Sequence, residues 1–377
     1  MKLASLITLL FLSGILNHWV QAQTIINDKE ICLKINAGLD KVYNLKFDEA
    51  EAIFKQVKDK YPSHPAYYFL KANTEYWRIM AENSFKERSN NYYEKLKEAL
   101  HYSQKLYNTN KKDPEAIFFQ LATHSALSYY HNLNEDYFKT MNEARKAYAY
   151  MKEGFGLKEQ FAEFYFTTGL YNYYVVRYPE SRPAVKPFMV FFTSGDIEKG
   201  LQQLLHASKE GIFTRIEALQ YLTGMNLKYE NKPEVALMYG QKLVDQYPDN
   251  PFFVTRYTEA LVMSGHYEKA EKNSFQLRKL ENKYFDMAGC IFLGMIHEKH
   301  HKNMSKAESY YLQALKVSKQ VNNPTTDYKS FAYAGLGRVY HNTGNKSKAI
   351  DYYKKALNSA QYLSIKQEAE EYLKQHD

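Results

Sequence analysis

Along most of the chain, apolar residues recur at i, i+3, i+4 and i+7, and few segments alternate with period two. A helix with that spacing carries one apolar stripe, so the pattern predicts an all-α protein. Pro114 to His131 and Lys158 to Tyr178 read as inner helices of helical pairs, and Glu135 to Glu153 and Asp196 to Glu210 as the outer helices that follow them. Proline marks the boundaries. Pro65 opens a helix, and Pro248 and Pro251, in Tyr-Pro-Asp-Asn-Pro, end one helix and start the next. Asn83, Ser84, Ser89, Asn90 and Asn91 predict a plain polar loop between Glu82 and Tyr92.

A repeat underlies the periodicity. Near the C-terminus stand Tyr333, Leu336, Gly337, Tyr340, Gly344, Ala349, Tyr353 and Ala356. In the frame they define, Gly337 lets two helices approach and Gly344 turns the chain. Ala349 sits where the helices cross most closely, and Tyr353 fills the gap to the next unit. Gly224, Ala236 and Pro248 fit the same frame, with Ala270 following Ala236 after 34 residues and Gly265 at the turn. Gly38, Ala50, Phe54 and Pro62 fit it again. Leu293, Gly294, Ala307, Tyr311 and Ala314 fit it with one extra residue in the turn. These positions resemble the tetratricopeptide repeat, and the resemblance covers nearly all of the chain after the first 22 residues. It implies a right-handed superhelical solenoid of about eight helix-turn-helix repeats over residues 23–362, closed by a polar cap at 363–377. A narrower feature, Gly195-Asp196-x-x-x-Gly200-Leu201, is similar to one in Iml2-like tetratricopeptide proteins and in exported bacterial ones, and it implies no catalytic residue.

The first residues change the expected setting. Lys2 is followed by an apolar run from Leu3 to Leu16, and Val20-Gln21-Ala22 puts small side chains at a cleavage site. This is the pattern of a secretory signal peptide over 1–22, with the mature chain starting near Gln23 and residing in the periplasm or on the outer envelope. No later stretch reaches the roughly 18 apolar residues of a membrane span. The formal charge is +8, and loss of Lys2 leaves +7 spread along the helices. An exported chain without a basic tract is a poor partner for nucleic acid. The two cysteines, Cys32 and Cys290, lie near opposite ends, too far apart in a solenoid for a disulfide, and are expected to be free and buried.

In the repeat family, ligands bind the concave face lined by the inner helices. Placed in that frame, Phe69, Asn73, Tyr76, Phe119, Phe166, Tyr173, Arg177, Tyr221, Lys228 and Arg338 point inward. Aromatic anchors with a few polar clamps suit a protein or peptide partner. The alternative for each aromatic is plain packing between neighbouring helices. A second candidate is the proline-rich insertion that leads into Phe188, Phe191 and Phe192. This apolar arm either docks a partner, with 187–192 touching a membrane surface, or folds back over the solenoid.

Catalytic chemistry finds little support. His297-Glu298-x-x-His301 matches the helical zinc motif of hydrolases. The repeat frame puts His301 at a helix end, and Ala307 stands where a third histidine would be expected. No phosphate-binding loop, nucleophile elbow or dinucleotide fingerprint is present. The sequence therefore predicts a non-enzymatic scaffold with no cofactor and no resident metal. A glycan or small-ligand binding protein is the alternative, weakened by a single tryptophan, Trp77, beyond the leader, and a zinc hydrolase is the remote one.

Overall fold

Several inner helices begin at a residue whose side chain satisfies free backbone N–H groups. Asp113 accepts from Ala116 N and Asn250 from Phe252 N, and both precede a proline at the first helical position. Asn282 caps the helix that follows it in the same way. Such caps are worth about 1 kcal/mol each. In four of the pairs the chain reverses in three residues, with a left-handed residue in the turn: Leu45, Glu135, Gly265 and Gly344 all have positive φ. The turn after Lys299 has four residues, His300 to Asn303, which is the extra residue expected there.

The computed structural model describes residues 24–181, 186–187, 189, 192–321 and 326–376. The expected leader at 1–22, together with Phe188 and Phe191, lies outside the described residues. Among these residues the chain forms eight antiparallel pairs and a terminal helix, with no strand. The pairs are α1 (Lys29–Tyr43) with α2 (Phe47–Lys60), α3 (Pro65–Glu82) with α4 (Phe85–Thr109), and α5 (Pro114–Leu133) with α6 (Tyr137–Gly154). Next come α7 (Glu163–Ser181) with α8 (Ile197–Glu210), α9 (Arg215–Lys228) with α10 (Pro233–Gln246), and α11 (Pro251–Met263) with α12 (Tyr267–Leu277). The last pairs are α13 (Lys283–Lys299) with α14 (Met304–Val317) and α15 (Thr326–Asn342) with α16 (Lys346–Ser359), before α17 (Leu363–His376). The expected all-α solenoid of about eight repeats is the observed fold.

The small residues act where the frame placed them. A Cβ on Gly337 would meet the Tyr353 ring at 2.8 Å, and one on Gly38 would run into the Phe54 ring. Ala50, Ala236, Ala270, Ala307 and Ala349 have no exposed surface. Tyr353 bridges to α17, stacking on Tyr372 and donating to Glu368 at 3.0 Å. The Gly195-to-Leu201 feature also serves packing. Gly200 lies against Tyr173 N and Gly169 O, so α7 and α8 cross backbone to backbone.

Three local expectations are corrected. Residues 85–92 are helical, forming the start of the 25-residue α4, because Phe85 and Tyr92 pack on Tyr130. α7 begins at Glu163, not Lys158, and runs through Pro179 in its last turn, where few backbone bonds remain to lose. Glu163 is fully buried and ties the helix start to a distant loop, accepting from Phe213 N at 2.9 Å and from Ile212 N and Thr214 Oγ1. Cys32 is half-buried, while Cys290 is fully buried, and both are free.

One contact set lies outside the neighbour-to-neighbour pattern of a solenoid. The C-terminal end of α1 packs on the fifth and sixth pairs, about 200 residues away. Asn250 Nδ2 donates to Tyr43 O at 2.8 Å, Tyr247 donates to Asp40, and Tyr43 donates to Glu217. The Tyr43 ring packs among Trp77, Tyr247 and Phe253, with centroids 5.4 to 6.1 Å away. Asn250 thus caps α11 and bonds α1 at once. Asn250→Ala is expected to cost about 2 kcal/mol, against about 1 kcal/mol for the cap-only Asn345→Ala, in urea unfolding of the full chain. Equal losses would show that the cross-pair bond contributes nothing.

Candidate binding surface

The α1 contact borders the concave face through Trp77 and Phe253, which line it. A cavity of about 590 Å³ lies at its centre, and all the inner helices from α3 to α15 reach it. Seven tyrosines border it: Tyr76, Tyr129, Tyr174, Tyr221, Tyr229, Tyr284 and Tyr328. They pack edge to face, Tyr76 on Tyr129 at 5.8 Å and Tyr284 on Tyr328 at 5.8 Å. Burial lifts the Tyr76, Tyr221 and Tyr328 phenols above their ordinary range, so these hydroxyls are neutral and able to hydrogen-bond at physiological pH.

α9 supplies the longest stretch of wall. Glu217, Tyr221, Gly224 and Lys228 follow at helical spacing, so they form one stripe about 16 Å long. The stripe begins with a carboxylate and ends with an ammonium, whose Nζ lies 5.4 Å from the Tyr362 ring centroid. Arg256 adds positive charge at this end, held by Glu259 at 2.8 Å and by the Tyr362 hydroxyl at 3.1 Å. A Cβ on Gly224 would meet nothing within 4 Å, so this glycine leaves a dent in the wall.

A second pocket of about 500 Å³ adjoins the first, sharing Asn73, Glu217 and Tyr221 with it. Its other walls are mostly apolar, with Phe69, Phe118, Leu121, Phe166 and Phe213. A concave face with an aromatic polar chamber beside an apolar one can hold alternating side chains of an extended chain.

The inward candidates divide. Phe69, Asn73, Tyr76, Phe166, Tyr221 and Lys228 line one or both pockets. Phe119 and Tyr173 do not. Both have no exposed surface: Phe119 packs between Phe69 and Phe213, and Tyr173 donates to Glu230 at 2.7 Å. Arg177 makes two bonds of 2.9 Å to Glu230 and borders a separate cleft beside residues 358–366. Arg338 is engaged by Glu298 and Glu368, which joins α13, α15 and α17. For these four, polar partners or neighbouring rings take the side chain away from the groove. Of the arm, Phe192 is described: it is partly exposed and meets the Tyr148 ring edge-on at 5.3 Å. Among the cavity residues that repeat-frame reasoning missed, Trp77 and Tyr174 follow Tyr76 and Tyr173 directly, Tyr129 lies ten residues beyond Phe119 on α5, and Tyr284 is on α13, where it chose none.

The zinc-like motif does not converge. α13 ends at Lys299, so His301 is outside the helix and pairs with Glu271 at 2.9 Å. Glu298 accepts from Tyr311 at 2.6 Å and from Arg338, and His297 stacks on Tyr310. Among the described residues, no group of three His, Cys, Asp or Glu side chains is arranged to hold a metal. Burial also raises the Cys32 and Cys290 thiols, to about 11 and about 12, so neither is a ready nucleophile.

Comparison with known proteins bears on the repeats. Residues 288–361, which cover most of α13 through α16, match the tetratricopeptide repeat family model. No curated protein matches the chain. Among solved structures, a tetratricopeptide repeat protein from Parabacteroides merdae is similar at 15% identity and a TM-score of 0.37, covering 90% of this chain and 96% of that one. Yeast Tom70 is similar at 11% identity and a TM-score of 0.39, covering 92% of this chain and 89% of that one.

Glu217 gives the surface a pH dependence. Burial pushes its carboxyl up to about 7, against the opposing Tyr43 hydrogen bond, and its Oε2 is buried without a hydrogen-bond partner. A carboxyl raised in the folded state holds its proton more tightly there than in the unfolded chain. The contribution of Glu217 to stability is therefore greatest below pH 4.5 and declines as pH rises to about 7. The full shift corresponds to about 3 kcal/mol. Glu217→Gln, which stays neutral, should gain on the parent by up to that amount between pH 4.5 and pH 8 in urea unfolding. A constant difference across that range would refute the assignment.

Residues 288–361, in α13 to α16, are thus the part of this chain that matches the tetratricopeptide repeat, a fold that suggests a scaffold for protein–protein interaction.

Proposed function

We propose that the chain is an exported adaptor that holds an extended segment of a partner protein along its concave face. The observation that carries this reading is the convergence of all the inner helices from α3 to α15 on one tyrosine-lined cavity. Tyrosine gives large contact area for little lost side-chain entropy, and its hydroxyl satisfies peptide polar groups. The 16 Å stripe on α9 matches about five residues of extended chain. Export rests on the leader pattern of residues 1–22 and places the adaptor in the periplasm or at the outer envelope.

A second reading has its own observation. The cavity has a volume of about 590 Å³, within the range of small-molecule sites. A glycan or other small ligand that stacks on tyrosine is the corresponding occupant.

Gly224→Leu separates occupancy of the cavity from every other surface. The added side chain projects into open space and favours the helix, so the fold should survive with a gain of about 0.5–1 kcal/mol from loss of the glycine. Trp77 lines the cavity and is 6% exposed, so its fluorescence reports filling. Random peptides displayed on phage and selected on the full chain should shift Trp77 emission on binding, and should lose at least about tenfold in affinity on Gly224→Leu. A glycan series that shifts the emission where peptides do not would select the second reading. Ligands that bind Gly224→Leu as tightly as the parent would remove the cavity from both.

A further inference from the structure

We propose that the outward face of α6 docks on an anionic lipid surface. α6 is the outer helix of the third pair, and only Ala147 and Gly154 of its residues are fully buried. At 100° per residue, Phe138, Met141, Arg145, Ala149 and Lys152 fall on one stripe, opposite Ala147. Phe138 is 85% exposed and Met141 73%, and beside them Tyr137 is 66% exposed. Among the described residues no large apolar side chain is more exposed than Phe138. Single exposed apolar residues need no explanation, but three in adjoining turns of one helix form a patch that water disfavours.

Charge identifies the occupant. The stripe carries Arg145 and Lys152 and no carboxylate. The acidic side chains of α6 and its cap are engaged to the sides. Glu143 pairs with His124 and with Lys146 at 2.8 Å, Glu153 accepts from Tyr107, and Asp136 caps the helix and pairs with Lys139 at 2.9 Å. Glu135 stands exposed just before the helix. Lys152 lies 5.1 Å from the Tyr148 ring centroid, and Phe192 packs edge-on to the same ring. The face is thus apolar at its N-terminal half and cationic at its C-terminal half. An in-plane helix at a bilayer surface has this composition, with aromatic and thioether groups among the acyl chains and cations among the phosphates. A second copy of the chain fits worse. A two-fold contact centred on this stripe would bring the two Arg145 guanidiniums together. The surface is separate from both pockets: of α6 only Met151 lines the second one, and it lies on the face away from the stripe.

Co-sedimentation with vesicles tests the proposal, using phosphatidylcholine alone and phosphatidylcholine with 30% phosphatidylglycerol. The full chain should bind the anionic vesicles at least about tenfold more tightly, and less so as salt rises. Phe138→Ser/Met141→Ser should reduce binding by about tenfold or more, and Arg145→Gln/Lys152→Gln should abolish the preference for phosphatidylglycerol. All four side chains lie on the outward stripe, and circular dichroism checks that the fold is kept. No binding by the parent, or binding that survives Phe138→Ser/Met141→Ser, overturns the proposal. A dimer in sedimentation velocity that Phe138→Ser/Met141→Ser dissolves, without vesicle binding by the parent, overturns it in favour of a second copy.

Discussion

The packing of α1 on the fifth and sixth pairs controls the form of the molecule. A solenoid built only from nearest-neighbour contacts has two free ends and an open groove. Here Tyr43, Asp40 and the buried Asn250 join residues about 200 positions apart, through a main-chain carbonyl, two carboxylates and a cluster of four aromatic rings. Asn250 has no exposed surface, so its bond to Tyr43 O satisfies a buried amide donor, and an unpaired donor there would be costly. The contact makes the first two-thirds of the chain a loop closed on itself.

Closure has a chemical consequence. Tyr43 holds one oxygen of Glu217 and helps wall the carboxyl away from water, and burial then raises its pKa to about 7. The same packing sets Trp77 and Phe253 on the cavity wall. A structural contact and the electrostatics of the candidate binding surface are therefore one arrangement. Acidic groups that fix other long-range contacts are better satisfied. Glu163 takes two backbone N–H groups and a hydroxyl, and Glu115 takes Ile25 N at 3.1 Å and Ile26 N at 2.7 Å, with His64 Nε2 2.7 Å away. Each of these carboxylates anchors a loop or terminus that has no regular hydrogen-bonding pattern of its own.

Local features of this architecture were legible in the sequence, and long-range ones were not. Gly337, Gly344, Ala349 and Tyr353 announce a helical pair because each answers a steric demand within about 20 residues. The same holds for the extra residue after Lys299. Asn83 to Asn91 misled, because polar composition suggests a loop while Phe85 and Tyr92 find a tertiary partner in Tyr130. In the groove, the frame chose Tyr221 and Lys228 correctly as inward positions. It could not tell that Phe119 and Tyr173, equally inward, are covered by Phe213 and bonded by Glu230. Whether an inward residue meets a cavity or a neighbour depends on how far the superhelix curls, and that is set by α1. Nothing near Tyr43 in the sequence points to Asn250.

A double-mutant cycle across the closure tests this most directly. Asp40→Asn, Tyr247→Phe and the double variant should be unfolded in urea alongside the parent chain. Residues 207 positions apart that share a hydrogen bond should show a coupling energy of about 1 kcal/mol or more. Additivity within about 0.3 kcal/mol would mean that the two side chains do not meet and that the groove is open.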